Sequence, residues 1–218
     1  MPVDRCSGLI FIHIPKTAGT SIEASIDLNG DWRIEDQDRL FGKISSRRIL
    51  RKNFSSNFLQ HLNFREISLL LGGRIDDFKI FSVVRDPWTR FLSSYKRKDP
   101  DLCEFVKWRS SQNIESFSLN EYSKLLRWVR HPHLNTQSSF LSSCSRDIIP
   151  DSRIKIFKFE ELHLLENWLS DHLQRSVSFP RQQLPLCQLP ELSDKKISQL
   201  KARIRSRYRE DYINFGYE

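Results

Sequence analysis

The chain has 218 residues, 39% of them hydrophobic and 11% aromatic, with only 7 Gly and 9 Pro. That is too apolar for a disordered chain, too poor in Gly and Pro for a collagen-like one, and long enough to bury a core without staples. Lys and Arg number 35 against 27 Asp and Glu, a balance of +8. It favours anionic partners such as phosphate esters, sulfated sugars, nucleic acid or a membrane surface, without choosing among them.

From the N-terminus, Leu9 to Ile14 reads as a buried strand, Pro15 to Gly19 as a polar turn, and Thr20 or Ser21 as the start of a helix. Residues 39–72 read as helical and basic, with Arg47, Arg48, Arg51 and Lys52 close together. A second unit of the same design runs from the strand Phe78 to Val84, through Arg85-Asp86-Pro87, into a helix from Trp88. Residues 99–150 read as a helical insertion that ends in Arg130 to Gln137. The third unit is a strand, Ile154 to Phe159, followed by a helix through Glu160 to Leu173. Residues 178–192 are Pro-rich and irregular. The last helix starts near Ser193, and Tyr208, Tyr212, Phe215 and Tyr217 read as an aromatic plug. Near-continuous Ile, Val and Phe runs suit parallel strands covered on both faces. Repeated strand–turn–helix units predict an α/β fold, here a P-loop-like parallel sheet flanked by helices with helical insertions, over one domain, residues 1–218. Ligands of such sheets bind beyond the carboxyl ends of the strands, so the first two turns are the places to look.

Cys6, Cys103, Cys144 and Cys187 are widely spaced, without a CxxC pair, so neither a zinc site nor a disulfide framework is expected, and reduced thiols are. The longest apolar runs, Gly8 to Ile14 and Ile67 to Leu71, fall far short of the ~20 residues of a membrane span. Met1-Pro2-Val3-Asp4-Arg5 has no n-region or h-region, so the expected location is cytoplasmic.

The first turn, Pro15-Lys16-Thr17-Ala18-Gly19-Thr20-Ser21, combines small residues, a cation and hydroxyls at the start of a helix. Helix N–H groups and the helix dipole favour an anion there. The spelling is not that of the Walker loop, because Lys16 precedes Gly19 rather than following it. A plain turn with a surface lysine would have the same spelling. In the second turn, Arg85 could grip a phosphate with two parallel hydrogen bonds, and Ser93 lies two helical turns on. The competing reading is that Arg85 and Asp86 pair with each other or cap the helix.

Together, Phe11 to Ile22 and Ser82 to Tyr95 resemble the two cofactor motifs of the PAPS-dependent sulfotransferases, most like the carbohydrate branch related to heparan sulfate 2-O-sulfotransferase and its bacterial relatives. The tail Tyr208 to Tyr217 is similar to the end of that domain. The resemblance implies that Lys16, Thr17, Ala18, Gly19, Thr20 and Ser21 hold the 5′-phosphosulfate of PAPS, and that Arg85 and Ser93 hold its 3′-phosphate. It places His61 where this branch carries its base, and Lys16 where it steadies the leaving phosphate. The product would be 3′,5′-adenosine bisphosphate. A neutral His can take the acceptor hydroxyl's proton near neutral pH.

The resemblance makes a carbohydrate or polysaccharide the expected acceptor, with tyrosine or small-molecule sulfation, or another nucleotide-dependent phosphoryl transfer, as alternatives. No metal and no nucleic-acid partner is expected, and the sequence does not reveal an oligomeric state. Arg47 to Lys52, Lys96 to Lys98 and Arg127 to His133 are basic stretches that an anionic glycan could meet. Of the other histidines, His13, on the first strand two residues before Pro15, reads as a residue packed in the core or supporting the site from behind its contact residues. His131 and His133 read as surface residues, or as facing the acceptor, and His163 and His172 as structural.

Overall fold

A computed structural model describes residues 2–46, 54–144, 148–180 and 193–218. Its sheet has four strands in the order β1 (Val3–Asp4), β2 (Leu9–Ile12), β3 (Lys79–Val84), β4 (Ile154–Lys158). Strands β2, β3 and β4 are parallel, and these are the three read from the sequence; β1 is a short antiparallel edge that the sequence did not announce. The chain is thus α/β. The described residues divide into two compact units, one within Met1–Arg85 and Gln137–Arg181, the other within Asp86–Thr136 and Gln182–Glu218.

The first unit holds the sheet with α1 (Gly19–Ser25), α2 (Phe64–Leu71), α6 (Ser138–Leu141) and α7 (Leu162–Leu173). Side chains alternate along each strand. Leu9, Phe11, Phe81, Val83 and Phe157 share a core with Ile22 of α1, Ile26 just past its end, and Leu165 and Leu169 of α7. The alternate residues Ile10, Ile12, Ile80 and Val84 are buried too. Both faces are therefore covered, which is why the strands read as unbroken apolar runs.

Helix across residues 39–72 was the expectation, and the described part of that stretch corrects it. Only α2 is α-helical there, preceded by a 3₁₀ turn at Leu59–His61. The Glu66 carboxylate sets the start: it accepts from the Asn63 N–H at 2.9 Å while Asn63 Oδ1 accepts from Glu66 N–H at 3.0 Å. This capping box leaves Ser55, whose N–H and hydroxyl also bond Glu66, in the loop. Upstream, isolated bridges join Asp36 to Phe41 and Lys43 to Phe58. Arg47, Arg48, Arg51 and Lys52 lie outside the described residues, as do Cys187 and most of the Pro-rich stretch.

The second unit packs α3 (Pro87–Arg97), α4 (Pro100–Ser110), α5 (Leu119–Lys124), α8 (Asp194–Arg207) and α9 (Arg209–Phe215). Asp86 caps α3, accepting from Thr89 N–H at 2.8 Å with Pro87 in the first turn. The core joins Phe91, Val106, Tyr122, Leu126, Ile204 and Tyr208. Tyr208, Tyr212 and Phe215 are buried, as the aromatic plug required. Arg90 is buried among them; its Nη1 donates to the Asn135 carbonyl at 2.9 Å, and its Cζ lies 5.9 Å from the Tyr208 ring centroid. Burial lowers its pKa, against the pull of Tyr208 and Asp211. Among the described residues, no helix is long and apolar enough to cross a membrane, and no cluster of three or more His, Cys, Asp or Glu could hold a metal ion.

His131 and His133, read as surface or acceptor-facing, are buried instead. His133 Nδ1 lies 2.7 Å from Asp99 Oδ2, and His131 Nε2 lies 3.4 Å from Asp101 Oδ2. Burial first, and the neighbouring His133 second, push the His131 pKa down to about 3, against the pull of Asp99. The unfolded ring titrates near ~6.5, so its contribution to stability is whole above that pH and shrinks as acid protonates the unfolded chain, down to the folded value. Urea unfolding should therefore lose roughly 2 kcal/mol from this group between pH 7 and pH 5. The His131→Gln variant should lose that much less over the same interval; an equal pH dependence in both proteins would refute the assignment.

Candidate active site

Strand β2 ends at Ile12, opposite Ser82 of β3. Ser82 is fully buried and its hydroxyl donates to the Ile12 carbonyl at 2.8 Å. The two strands finish at the same end of the sheet, so the turns that follow them stand side by side.

In the first turn, the Thr17 hydroxyl donates to the Ile14 carbonyl at 2.8 Å and is fully buried. Its role here is to close the turn, which leaves the hydroxyls of Thr20 and Ser21 as the outward donors. Lys16 and Ala18 both take left-handed backbone conformations, with φ of 72° and 71°. Non-glycine residues there cost on the order of 1–3 kcal/mol each and cluster at ligand clamps. The N–H groups of Ala18, Gly19 and Thr20 meet no acceptor among the described residues. Lys16 is half-buried and Thr20 exposed. The result is a concave set of backbone donors with a cation beside it, an anion-binding arrangement.

Beneath this turn lies a pair that the sequence reading passed over. His13 Nδ1 is 2.6 Å from Glu23 Oε1, and both residues are buried. A Cβ on Gly19 would fall 2.2 Å from His13 Nε2. The ring is thus pressed against the underside of the turn, and only glycine fits above it. The His61 ring meets His13 edge-on, with centroids 4.9 Å apart. His61 closes a 3₁₀ turn, Leu59–His61, and is itself buried. Glu23 was legible in one respect: it is the one acid on α1, next to the buried Ile22.

Arg85 follows β3. Its Nη1 approaches the Lys16 carbonyl at 3.5 Å, the long limit of a hydrogen bond. Its Cζ lies 4.1 Å from the Phe159 ring centroid. The fold thus brings Lys16, Thr17, Ala18, Gly19, Thr20, Ser21, Arg85 and His61 into the first unit. Ser93 belongs to the second, on α3, half-buried. A groove of about 510 Å³ in the first unit, lined by Lys79, Arg153, Lys155 and Trp168 among others, lies at the opposite, amino-terminal ends of β3 and β4. Its Arg153 is already paired with Asp76 and Asp151.

Of the basic stretches, Lys98 is committed internally: its Nζ donates to the carbonyls of Glu115 and Phe117. Arg127 and Arg130 are exposed.

Residues 2–218 match the model of a family described as the sulfotransferase family. No curated protein and no solved structure matches the chain.

Gly19→Ala should destabilise the protein by about 1–3 kcal/mol, the usual cost of overpacking a fixed site, because the Glu23 bond holds the His13 ring in place. In urea titrations, adding His13→Ala should recover part of that loss. Unaltered stability in Gly19→Ala would show that the turn does not rest on His13.

Proposed function

We infer the reaction from a plain premise: the chain belongs to the sulfotransferase family and is a sulfotransferase enzyme. We propose that its donor is PAPS and its acceptor a hydroxyl of a carbohydrate, with residues 1–218 acting as one sulfotransferase domain. The observation that carries the proposal is the meeting of the two turns, Arg85 Nη1 against the Lys16 carbonyl, around the open amides of Ala18, Gly19 and Thr20.

PAPS, when bound, supplies the sulfuryl group and a phosphate leaving group on which negative charge grows. The residues present fit such a ligand with an anionic group at each end. The open amides, with the Thr20 and Ser21 hydroxyls, offer donors to the phosphosulfate end. The Lys16 ammonium, carried by the same turn, would steady the leaving phosphate. Arg85, with its flat fork of donors, suits the 3′-phosphate that separates this donor from ATP; the sequence resemblance adds Ser93 to that role. His61 takes the proton of the acceptor hydroxyl. The buried Glu23–His13 pair braces it from behind, since a carboxylate fixes a ring by bonding its Nδ1.

A carbohydrate acceptor is supported by the surface of the second unit. Trp108 is 75% exposed and Trp128 41%. Lys107 and Arg109 flank the first, and Arg127 and Arg130 lie beside the second, all exposed. Indole faces stack on the apolar faces of sugar rings, and the cations would meet carboxylates or sulfates.

Thermal shift decides the donor. A ligand at 100 times its Kd stabilises by ~2.7 kcal/mol, so 3′,5′-adenosine bisphosphate should raise the melting temperature well above the effect of AMP or ATP at equal concentration. Equal shifts would remove the 3′-phosphate site. His61→Ala should keep bisphosphate affinity and lose roughly 10²–10⁴ in turnover, the usual worth of a general base. Normal turnover would take His61 out of the mechanism. Lys16→Ala should cost about 10²–10³ in kcat; unchanged kinetics would undo the leaving-group role. Transfer of labelled sulfate to polysaccharide, and not to tyrosine peptides or phenols, is the expected acceptor result, and the reverse pattern would overturn it.

A further inference from the structure

Arg85 lies one residue past the end of β3, where the ladder no longer fixes its backbone. An arginine that must grip a phosphate in a set direction needs its Cα–Cβ bond held, because each further side-chain torsion multiplies the error. The hold comes from Gln137, where the chain returns to the first unit after the residues of the second. Gln137 Oε1 accepts from the Arg85 N–H at 2.8 Å, and Gln137 Nε2 donates to the Arg85 carbonyl at 2.8 Å. One planar amide thus stands in for a missing strand: it engages both backbone groups of a single residue and fixes its φ and ψ together. Gln137 is fully buried. Further along the side chain, the Phe159 ring lies against the guanidinium at 4.1 Å. Stacking covers a face of the guanidinium and restricts the plane in which its N–H groups lie.

We infer that Gln137 is a positioning residue for Arg85, aided by Phe159, and that through Arg85 it sets selectivity for a 3′-phosphorylated adenine nucleotide. This rests on the reading of Arg85 as the 3′-phosphate grip. Gln137 touches no ligand in this scheme. A glutamine that served the fold alone would, when removed, lower stability or weaken every nucleotide alike. One that aims Arg85 would weaken the 3′-phosphorylated ligand selectively.

The test is calorimetric, on the full chain: the Kd of 5′-AMP divided by the Kd of 3′,5′-adenosine bisphosphate. Gln137→Met keeps the volume and removes both hydrogen bonds. It should shrink the ratio about tenfold, equivalent to ~1.4 kcal/mol, while the Kd of 5′-AMP stays within about twofold of its starting value. Phe159→Leu leaves the Gln137 bonds intact, should narrow the ratio in the same direction, and decides the matter if Gln137→Met does not fold. A wild-type ratio well above one with both variants unchanged, or with both ligands weakened in parallel, overturns the positioning role and spares the 3′-phosphate site. A wild-type ratio of one removes both.

Discussion

The parallel register that sets Ile12 opposite Ser82 is the constraint from which the site follows. Two buried strands end together, and the Ser82 hydroxyl ties the last carbonyl of one to the other. Turns that would otherwise be separated by some 70 residues of chain are thereby neighbours, and Lys16 and Arg85 come within reach of each other. The buried apolar faces on both sides of the sheet hold the register, because a slip of one residue would turn every core side chain to the wrong face.

Arg85 and Arg90, five positions apart, illustrate how environment assigns a role to the same side chain. Arg90 is buried, bonds the Asn135 carbonyl and packs near Tyr208, so it ties the 132–135 segment to α3. A buried guanidinium held in this way is structural, and losing one partner would strand a charge. Arg85 is only part-buried and stacks one face on Phe159. Its donors are disposed at the edge of the guanidinium, toward the turn that holds the open amides. The difference between an arginine that builds the molecule and one that can serve a ligand lies in how deeply the fold buries its guanidinium.

The three parallel strands were legible because burial on both faces leaves no polar alternation to blur them. The first turn was legible as a strand–helix junction because its small polar residues part an apolar run from a helical pattern. What escaped depends on pairs far apart in the chain. Gln137 appears in sequence as an ordinary polar residue after a basic stretch, and only the topology carries it to Arg85, 52 positions upstream. Glu23 and His13 are closer, ten apart, but their pairing needs the turn to fold back over the ring. The misreadings have the same origin. His131 and His133 sit in a run of cations that suggests solvent, while Asp99 and Asp101 arrive from another helix junction to bury them. Residues 54–62 have enough apolar character to pass for helix, yet Glu66 satisfies the Asn63 cap and Ser55 at once and stops it short.

The turn itself carries a cost that bears on function. Lys16 and Ala18 hold left-handed conformations that glycine would adopt without strain. Glycine would also widen the range of shapes open to the turn, and a ligand would then bear the entropy of ordering it. With Ala18 the strain is met when the protein folds, drawn from the burial of β2 and the closure of Thr17 on Ile14. The backbone that carries the amides of Ala18, Gly19 and Thr20 is thus set before any anion arrives. The one place where glycine is kept, Gly19, is the place where space rather than flexibility decides, since His13 fills the room a side chain would need. The choice of Ala at one position and Gly at the next follows from a single requirement: a rigid set of donors seated directly on a buried imidazole.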